Sequence, residues 1–525
     1  MESTNYFHSN SIKPLIFLSL FILQLLATSF VFAQDDRAVI VNFNDKDKQV
    51  TRFDKLSAAL DAHDGEIALF NGTYYLYGTS YDCGYEWGNP EAPFCGFKVY
   101  SSKDLMNWTD EGFLFDATND LWQTRCNGKT YGCYRPHVIY NEKNKEYVLW
   151  INVYDNRTGF RVFTSDNPIG PFKEVAEPTT AVNNDAPVAG LNNGDHDTFV
   201  DDDGTAYLAY TDWRTDGTIV IEKLNEDYTS GIGEHVKAVT AGRTEAPGLM
   251  KYNNRYYVLY SDPNCGYCSG TGTSYKSAPS PLGPWTDGAK LNENSCGGQP
   301  SFVSTFKLET GTIYLYGSDL WNNAAKNEAQ ANFYWAPLTF DEDGNINPID
   351  CEQTINIPIK KDVSEIDLAN LDASSESDGF TTSCEIQGDT QHGQSFIASK
   401  TGILSKVTFA TFQSGYPDAG LTFEIYKAGK NSQPKGKVLS SITVSADSIG
   451  WSPKMISVQP NIKVKASKKY VLVVKSTSSK GCFGIEFNDN APYAEGACIL
   501  STDNGNSFSI IDNRTLMFQT FVSPK

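Results

Sequence analysis

The stretch DHDTFVDDDGTAYLAYTD, residues 195–212, decides the fold. Polar and apolar residues alternate on both sides of Asp201, Asp202, Asp203 and Gly204, a run that suits a tight turn, so the stretch predicts a β-hairpin. Its six aspartates then fall into classes. Asp201–Asp203 turn the chain, Asp212 closes the second strand, Asp197 has an open role, and Asp195 leads the first strand.

Four other segments repeat this shape, a polar residue followed by an apolar strand, a polar turn and a second aromatic-rich strand. They are DGEIALFNGTYYLYGTS from Asp64, RPHVIYNEKNKEYVLWINV from Arg135, EAPGLMKYNNRYYVLYSD from Glu245 and GQPSFVSTFKLETGTIYLYGSD from Gly298. Their starts lie 50 to 71 residues apart, which leaves room for two further strands per unit. Separators such as SKDLMNWTDEG (102–112), TSDNPIGPFKEV (164–175) and SAPSPLGPWTDG (277–288) suit those outer strands. The pattern predicts an all-β protein with a five-bladed β-propeller over 50–355. A sandwich with chance hairpins explains neither the recurrence nor the shared order of elements.

In a propeller the first strand of each blade lines the axis, so the repeat starts converge at one end of the channel. Asp64, Arg135, Asp195, Glu245 and the Gly298/Gln299 pair therefore meet, and carboxylates so clustered perturb one another's pKa. Cleaving a glycosidic bond needs one carboxyl to protonate the leaving oxygen and another to activate water. A third acid can tune the donor. Asp64, Asp195 and Glu245 on three blades form such a set.

These segments, in this order and spacing, resemble those of glycoside hydrolase family 43. AHDGEIALFNGTYYLYGTS resembles the family's opening blade and YRPHVIYN its second. DHDTFVDDDGTAYLAYTD and TEAPGLMKYNNRYYVLYSD resemble the third and fourth. The resemblance implies Asp64 as general base, Asp195 as the acid that tunes the donor, Glu245 as proton donor, and inversion of configuration. Two departures matter. The first motif reads Asp-Gly-Glu where the family has Asp-Pro, so Glu66 competes with Asp64. In a relative acting on β-1,3-galactan the base aspartate is absent and a glutamine lies near the water, a place Gln299 matches here.

Arg135 at a strand start needs a carboxylate, Asp195 or Glu245, or holds a sugar hydroxyl. His196 reads either as a substrate contact or axial ion ligand, or as a core histidine; His137 reads as core. Tyr134, Trp213, Tyr267 and Trp321 are candidate sugar platforms. Loops 83–95, 122–134 and 262–275 are placed to set pocket depth. No cofactor is expected. The resemblance admits a structural calcium in the channel, although no run has calcium-loop spacing.

The formal charge of −20 excludes nucleic acid and anionic membrane as partners. Carbohydrate is the expected partner and a monomer the expected state. Residues 15–33, LIFLSLFILQLLATSFVFA, predict a signal peptide over 1–33 and a secreted chain, with an uncleaved membrane anchor as the rival that Ser19, Gln24, Thr28 and Ser29 disfavour. Eleven cysteines and sequons at Asn71, Asn107, Asn156 and Asn513 fit that route. The nearest pairs are Cys83/Cys95, Cys126/Cys133, Cys265/Cys268 and Cys482/Cys498. Residues 356–380 read as a linker. Residues 381–525 read as an antiparallel β-sandwich of jelly-roll type, without a catalytic constellation, serving sugar binding or attachment. The rival function is a catalytically silent, lectin-like propeller.

Overall fold

The computed structural model describes residues 37–130, 132–175, 177–183, 193–264, 270–321, 327–362, 370–375, 379–490 and 493–524. The expected signal peptide, Cys265, Tyr267 and Cys268 lie outside these. Among the described residues no helix is long and apolar enough to cross a membrane.

Each repeat forms one sheet. Blade 1 comprises His63–Phe70, Thr73–Thr79, Phe97–Ser102 and Thr109–Phe113; blade 2, Cys133–Asn141, Glu146–Val153, Phe160–Ser165 and Lys173–Glu174. Blade 3 holds Asn193–Val200, Ala206–Asp212, Thr218–Leu224 and Gly231–Val236; blade 4, Glu245–Tyr252, Arg255–Ser261, Thr273–Ala278 and Lys290–Asn292. Blade 5 has three strands, Gln299–Leu308, Gly311–Leu320 and Asn332–Pro337. First strands touch in cyclic order, with blade 5 against blade 1, so the sheets close into a ring. Alternation explains the packing. In blade 1, Ile67, Tyr74, Leu76 and Tyr100 share a core with Phe302, Phe306, Leu315 and Tyr316 of blade 5.

The segment expected as a linker carries structure at both ends. Thr354–Lys360 pairs with Arg37–Val41, and Leu371–Ser375 with Phe518–Ser523. Alternation in TINIPIK buries Ile355, Ile357 and Ile359 in the propeller core, which is why this end does not behave as a spacer.

Beyond it two antiparallel sheets face each other. One is built around Gly402–Ser414, Phe518–Ser523 and Cys482–Asn488, the other around Leu421–Ala428, Lys469–Lys475 and Gln391–Ile397. Phe396, Val407, Phe409, Phe423, Leu472 and Ile485 fill the space between them.

Disulfides join Cys83–Cys95 and Cys126–Cys133 as expected, and also Cys296–Cys351 and Cys384–Cys482. The expected Cys482/Cys498 pair does not form. Cys482 begins a strand beside Thr381–Ile386, which carries Cys384, whereas Cys498 is a buried free thiol on the other sheet. Of the sequons, Asn71 and Asn513 are exposed, while Asn156 is buried and donates its amide to the Phe160 carbonyl.

Candidate active site

All five first strands start with the same irregularity. Pairing register slips between His63 and Glu66, Tyr134 and His137, Asn193 and His196, Glu245 and Gly248, and Pro300 and Phe302. Such bulges re-aim the side chains beside them. Asp64, Arg135 and Ala246 adopt left-handed φ values of 53°, 58° and 55°, a conformation that costs ~1–2 kcal/mol per residue. The bulge breaks the alternation that would put Asp64 and Glu66 on one side. Asp64 turns to the axial end, and Glu66 turns down the channel. Gly65 between them is required by close approach, since a Cβ there would lie 2.2 Å from the Tyr77 carbonyl oxygen.

Asp64 is held from four directions. Its backbone N–H donates to Asp319 Oδ2 at 2.9 Å. Its carboxylate accepts from the Thr79 hydroxyl (2.7 Å), the Tyr81 hydroxyl (2.6 Å) and the Arg135 backbone N–H (2.9 Å). Burial pushes its pKa up to about 6, while the Arg135 charge and the Tyr81 hydroxyl hold it down. The group is a carboxylate at neutral pH, with limited affinity for a proton.

Arg135 is buried and makes the contact expected of it, donating from Nη2 to Asp195 Oδ2 at 2.8 Å. Its Nη1 donates to the carbonyls of Pro300 and Ser301, at 3.1 and 3.0 Å. One guanidinium thus ties blades 2, 3 and 5. The opposite charges of Asp195, Asp64, Glu245 and Asp319 raise its already high pKa despite burial.

Glu245 is half-buried and accepts from Gln299 Nε2 at 3.0 Å. Burial and the adjacent Asp195 charge push its pKa up to about 8, against the pull of Arg135, Gln299 and Asn264. Burial and neighbouring charge thus favour the protonated form of Glu245 more than that of Asp64.

Trp213 and Trp321 are half-buried beside this cluster. The Trp213 indole donates to the Tyr154 hydroxyl, which faces Asp195 and Glu245 and whose pKa is raised by burial and by their charges. Trp321 lies with its ring 6.1 Å from Tyr81 and 5.7 Å from His63. The Tyr134 hydroxyl bonds that of Tyr85. His196 is placed otherwise than a substrate contact requires. It is fully buried, packed edge-on to Phe160 at 5.1 Å and 5.3 Å from the His137 ring, and burial drives its pKa well down. The register slip between Asn193 and His196 turns it into the interior.

Below the cluster, ligand atoms of Glu66, His137 and Asp197 lie within 4.8 Å of one another. Two carboxylates and an imidazole fall short of the six to eight oxygens calcium takes. His137 Nδ1 lies 2.9 Å from Asp197 Oδ1, while its buried Nε2 has no hydrogen-bond partner among the described residues. By themselves these side chains do not complete a calcium shell.

Sequence reasoning missed Tyr81, Tyr154, Asn264 and Asp319. A signal for Tyr81 and Asp319 exists. Second strands close in TS, TD, SD and SD in blades 1, 3, 4 and 5, which puts polar groups around the same mouth as the strand starts.

Residues 57–346 match the family model described as Glycosyl hydrolases family 43. The chain is similar to a β-D-galactofuranosidase of Aspergillus niger, 32% identical over 300 residues, which cover 54% of this chain and 82% of that protein. It is also similar to an arabinoxylan arabinofuranohydrolase of Bacillus subtilis, 29% identical over 258 residues, covering 43% of this chain and 50% of that one. An exo-β-1,3-galactanase from Clostridium thermocellum shares the fold, with a TM-score of 0.51 at 19% identity over 92% of this chain and 97% of that one.

Proposed function

The chain belongs to glycosyl hydrolase family 43, and from that premise we propose that it hydrolyses arabinosyl, xylosyl or galactosyl linkages of a glycan with inversion. Glu245 protonates the glycosidic oxygen. Asp64 takes a proton from a water whose oxygen attacks the anomeric carbon from the opposite face, and the bond to the leaving group breaks. Asp195 keeps Glu245 protonated by its charge, and Arg135 keeps Asp195 in place. The observation that carries this reading is the convergence of Asp64, Asp195 and Glu245 at one end of the axis, with Arg135 joining Asp64 to Asp195 and burial raising the donor's pKa.

Gln299 serves the donor in this reading, because its amide engages Glu245 and Asn264, while Asp64 is present to activate water. Trp213, Trp321 and Tyr154 border the sugar. Tyr267 is proposed as a further wall of the same pocket on the strength of its loop alone. Four disulfides among the described residues and the N-terminal apolar run support action outside the cell.

The test uses aryl β-D-galactofuranosides, α-L-arabinofuranosides, β-D-xylosides and β-D-galactosides, each with a poor and a good leaving group. Glu245→Gln should lose about 10³-fold in kcat on the poor leaving group and much less on dinitrophenyl, which departs without a proton. Asp64→Asn should lose similarly on both. Sugar binding without turnover on any glycan, in wild type and variants alike, would establish the lectin-like rival instead.

A further inference from the structure

The loop after blade 1's second strand carries Tyr81, whose hydroxyl rests on Asp64. Two different parts of the molecule grip this loop. From the propeller, Asp61 accepts the backbone N–H groups of Tyr81 (2.8 Å) and Asp82 (3.2 Å) and the Ser80 hydroxyl (2.5 Å). The other grip comes from the β-sandwich, more than 300 residues away in sequence. Ser452 N–H donates to Asp82 Oδ1 at 2.7 Å, and the Tyr416 hydroxyl donates to the Gly84 carbonyl at 3.1 Å. Lys454 Nζ lies 3.6 Å from Asp82 Oδ2.

Between these polar contacts sits Trp451. It is 4% exposed and shares an apolar cluster with Tyr81, Tyr85, Ala92 and Ala329 of the propeller. Tyr416 packs edge-on against it at 4.7 Å. Gly84 passes so close that a Cβ there would stand 2.8 Å from the indole. The neighbouring strand Lys454–Val458 is anchored beside it, where Ala59 N–H donates to the Pro453 carbonyl at 2.7 Å.

We propose that Trp451 and Tyr416 are positioning residues of the active site: the β-sandwich clamps the loop of residues 81–95 so that the Tyr81 hydroxyl stays on Asp64. The inference rests on Asp64 being the base. It gives the C-terminal domain a part in the reaction that needs no sugar-binding site of its own. Charged and titratable groups facing Asp64 are Arg135 from blade 2, Asp319 from blade 5, His63 from its own blade, and Tyr81 and Tyr85 from the loop that follows. Of these the clamp reaches Tyr85 and Tyr81, and Tyr81 is the one whose hydroxyl donates to the carboxylate. Releasing it withdraws a hydrogen bond from the carboxylate, so the carboxylate binds a proton more readily and the acidic limb of the rate profile rises.

The experiment compares full-length Trp451→Ala, Trp451→Phe, Gly84→Ala, Tyr81→Phe and Asp64→Asn with wild type, on the best aryl glycoside, across pH. Trp451→Ala and Tyr81→Phe should both lower kcat several-fold near pH 6, with the acidic limb displaced upward by about half to one pH unit and KM changed less than kcat. Trp451→Phe, which keeps an aromatic ring, should recover most of the loss. Gly84→Ala, disfavoured at a φ of 96° and crowded 2.8 Å from the indole, displaces the same loop from the propeller side and must reproduce the shift, so the test stands even where Trp451→Ala does not fold. An unmoved acidic limb in Gly84→Ala and in folded Trp451→Ala would overturn the clamp. If Asp64→Asn retains activity, the assignment of the base falls instead.

Discussion

Two layers of charge lie on the same inner strands, and the contrast between them is instructive. The outer layer holds Asp64, Arg135, Asp195 and Glu245; the inner holds Glu66, His137 and Asp197, two residues further along blades 1, 2 and 3. In the inner layer every acid is spent on the next blade. Glu66 Oε1 accepts the Val138 N–H at 2.5 Å, Asp197 Oδ2 accepts the Leu249 N–H at 2.6 Å, and Asp197 Oδ1 takes His137. These contacts tie blade 1 to 2, 2 to 3 and 3 to 4. The outer layer also bridges blades, from Asp64 to Arg135 and from Arg135 to Asp195, but there Glu245 accepts from the Gln299 amide and stays half-exposed. Similar residue types on the same strands thus divide into seam and site. What divides them is the bulge at each strand start, which aims one residue at the cavity and the next acid down the channel.

The largest test of this contrast removes one acid from each layer. Glu245→Gln and Asp64→Asn should each cost about 10³-fold in kcat, near 4 kcal/mol of transition-state stabilisation, with little change in urea midpoint. His137→Ala should do the reverse. It leaves Asp197 and Glu66 buried without their partner, a loss of about 3 kcal/mol or more, seen as a lower urea midpoint, with kcat per folded molecule within about twofold of wild type. An inactive but fully stable His137→Ala would place the inner layer in the chemistry and erase the distinction.

A smaller effect comes from pH. With Asp64 near 6 and Glu245 near 8, kcat/KM should be bell-shaped, falling below about pH 6 as the base is protonated and above about pH 8 as the donor ionises. The smallest comes from Gln299→Ala. Its amide stabilises the Glu245 carboxylate, so losing it should raise the donor's pKa and move the basic limb to higher pH, with kcat down only several-fold. A downward move of that limb would contradict the hydrogen bond to Glu245.

Much of this was legible in the chain. Hairpins declare themselves through alternation and turn residues within about twenty positions, and five of them in one order imply a ring. The residues leading those hairpins then converge for geometric reasons, so Asp64, Arg135, Asp195, Glu245 and Gln299 could be named together. The ambiguity of Asp64 against Glu66 was not resolvable that way, because simple alternation puts both on one side. For His196 the chain left the substrate and core readings open, and only its packing against Phe160 and His137 separates them.

The strand period, the number of blades and the set of polar residues at the axial end can all be read along the chain. These follow from short-range patterns that water sorts into inside and outside. Folding in three dimensions is what shows which acid faces the cavity, that Cys482 joins Cys384 and not Cys498, and that Trp451 of the sandwich packs on the loop of Tyr81. Each of those depends on a local break in regularity or on a contact between distant segments, and neither leaves a periodic trace along the chain.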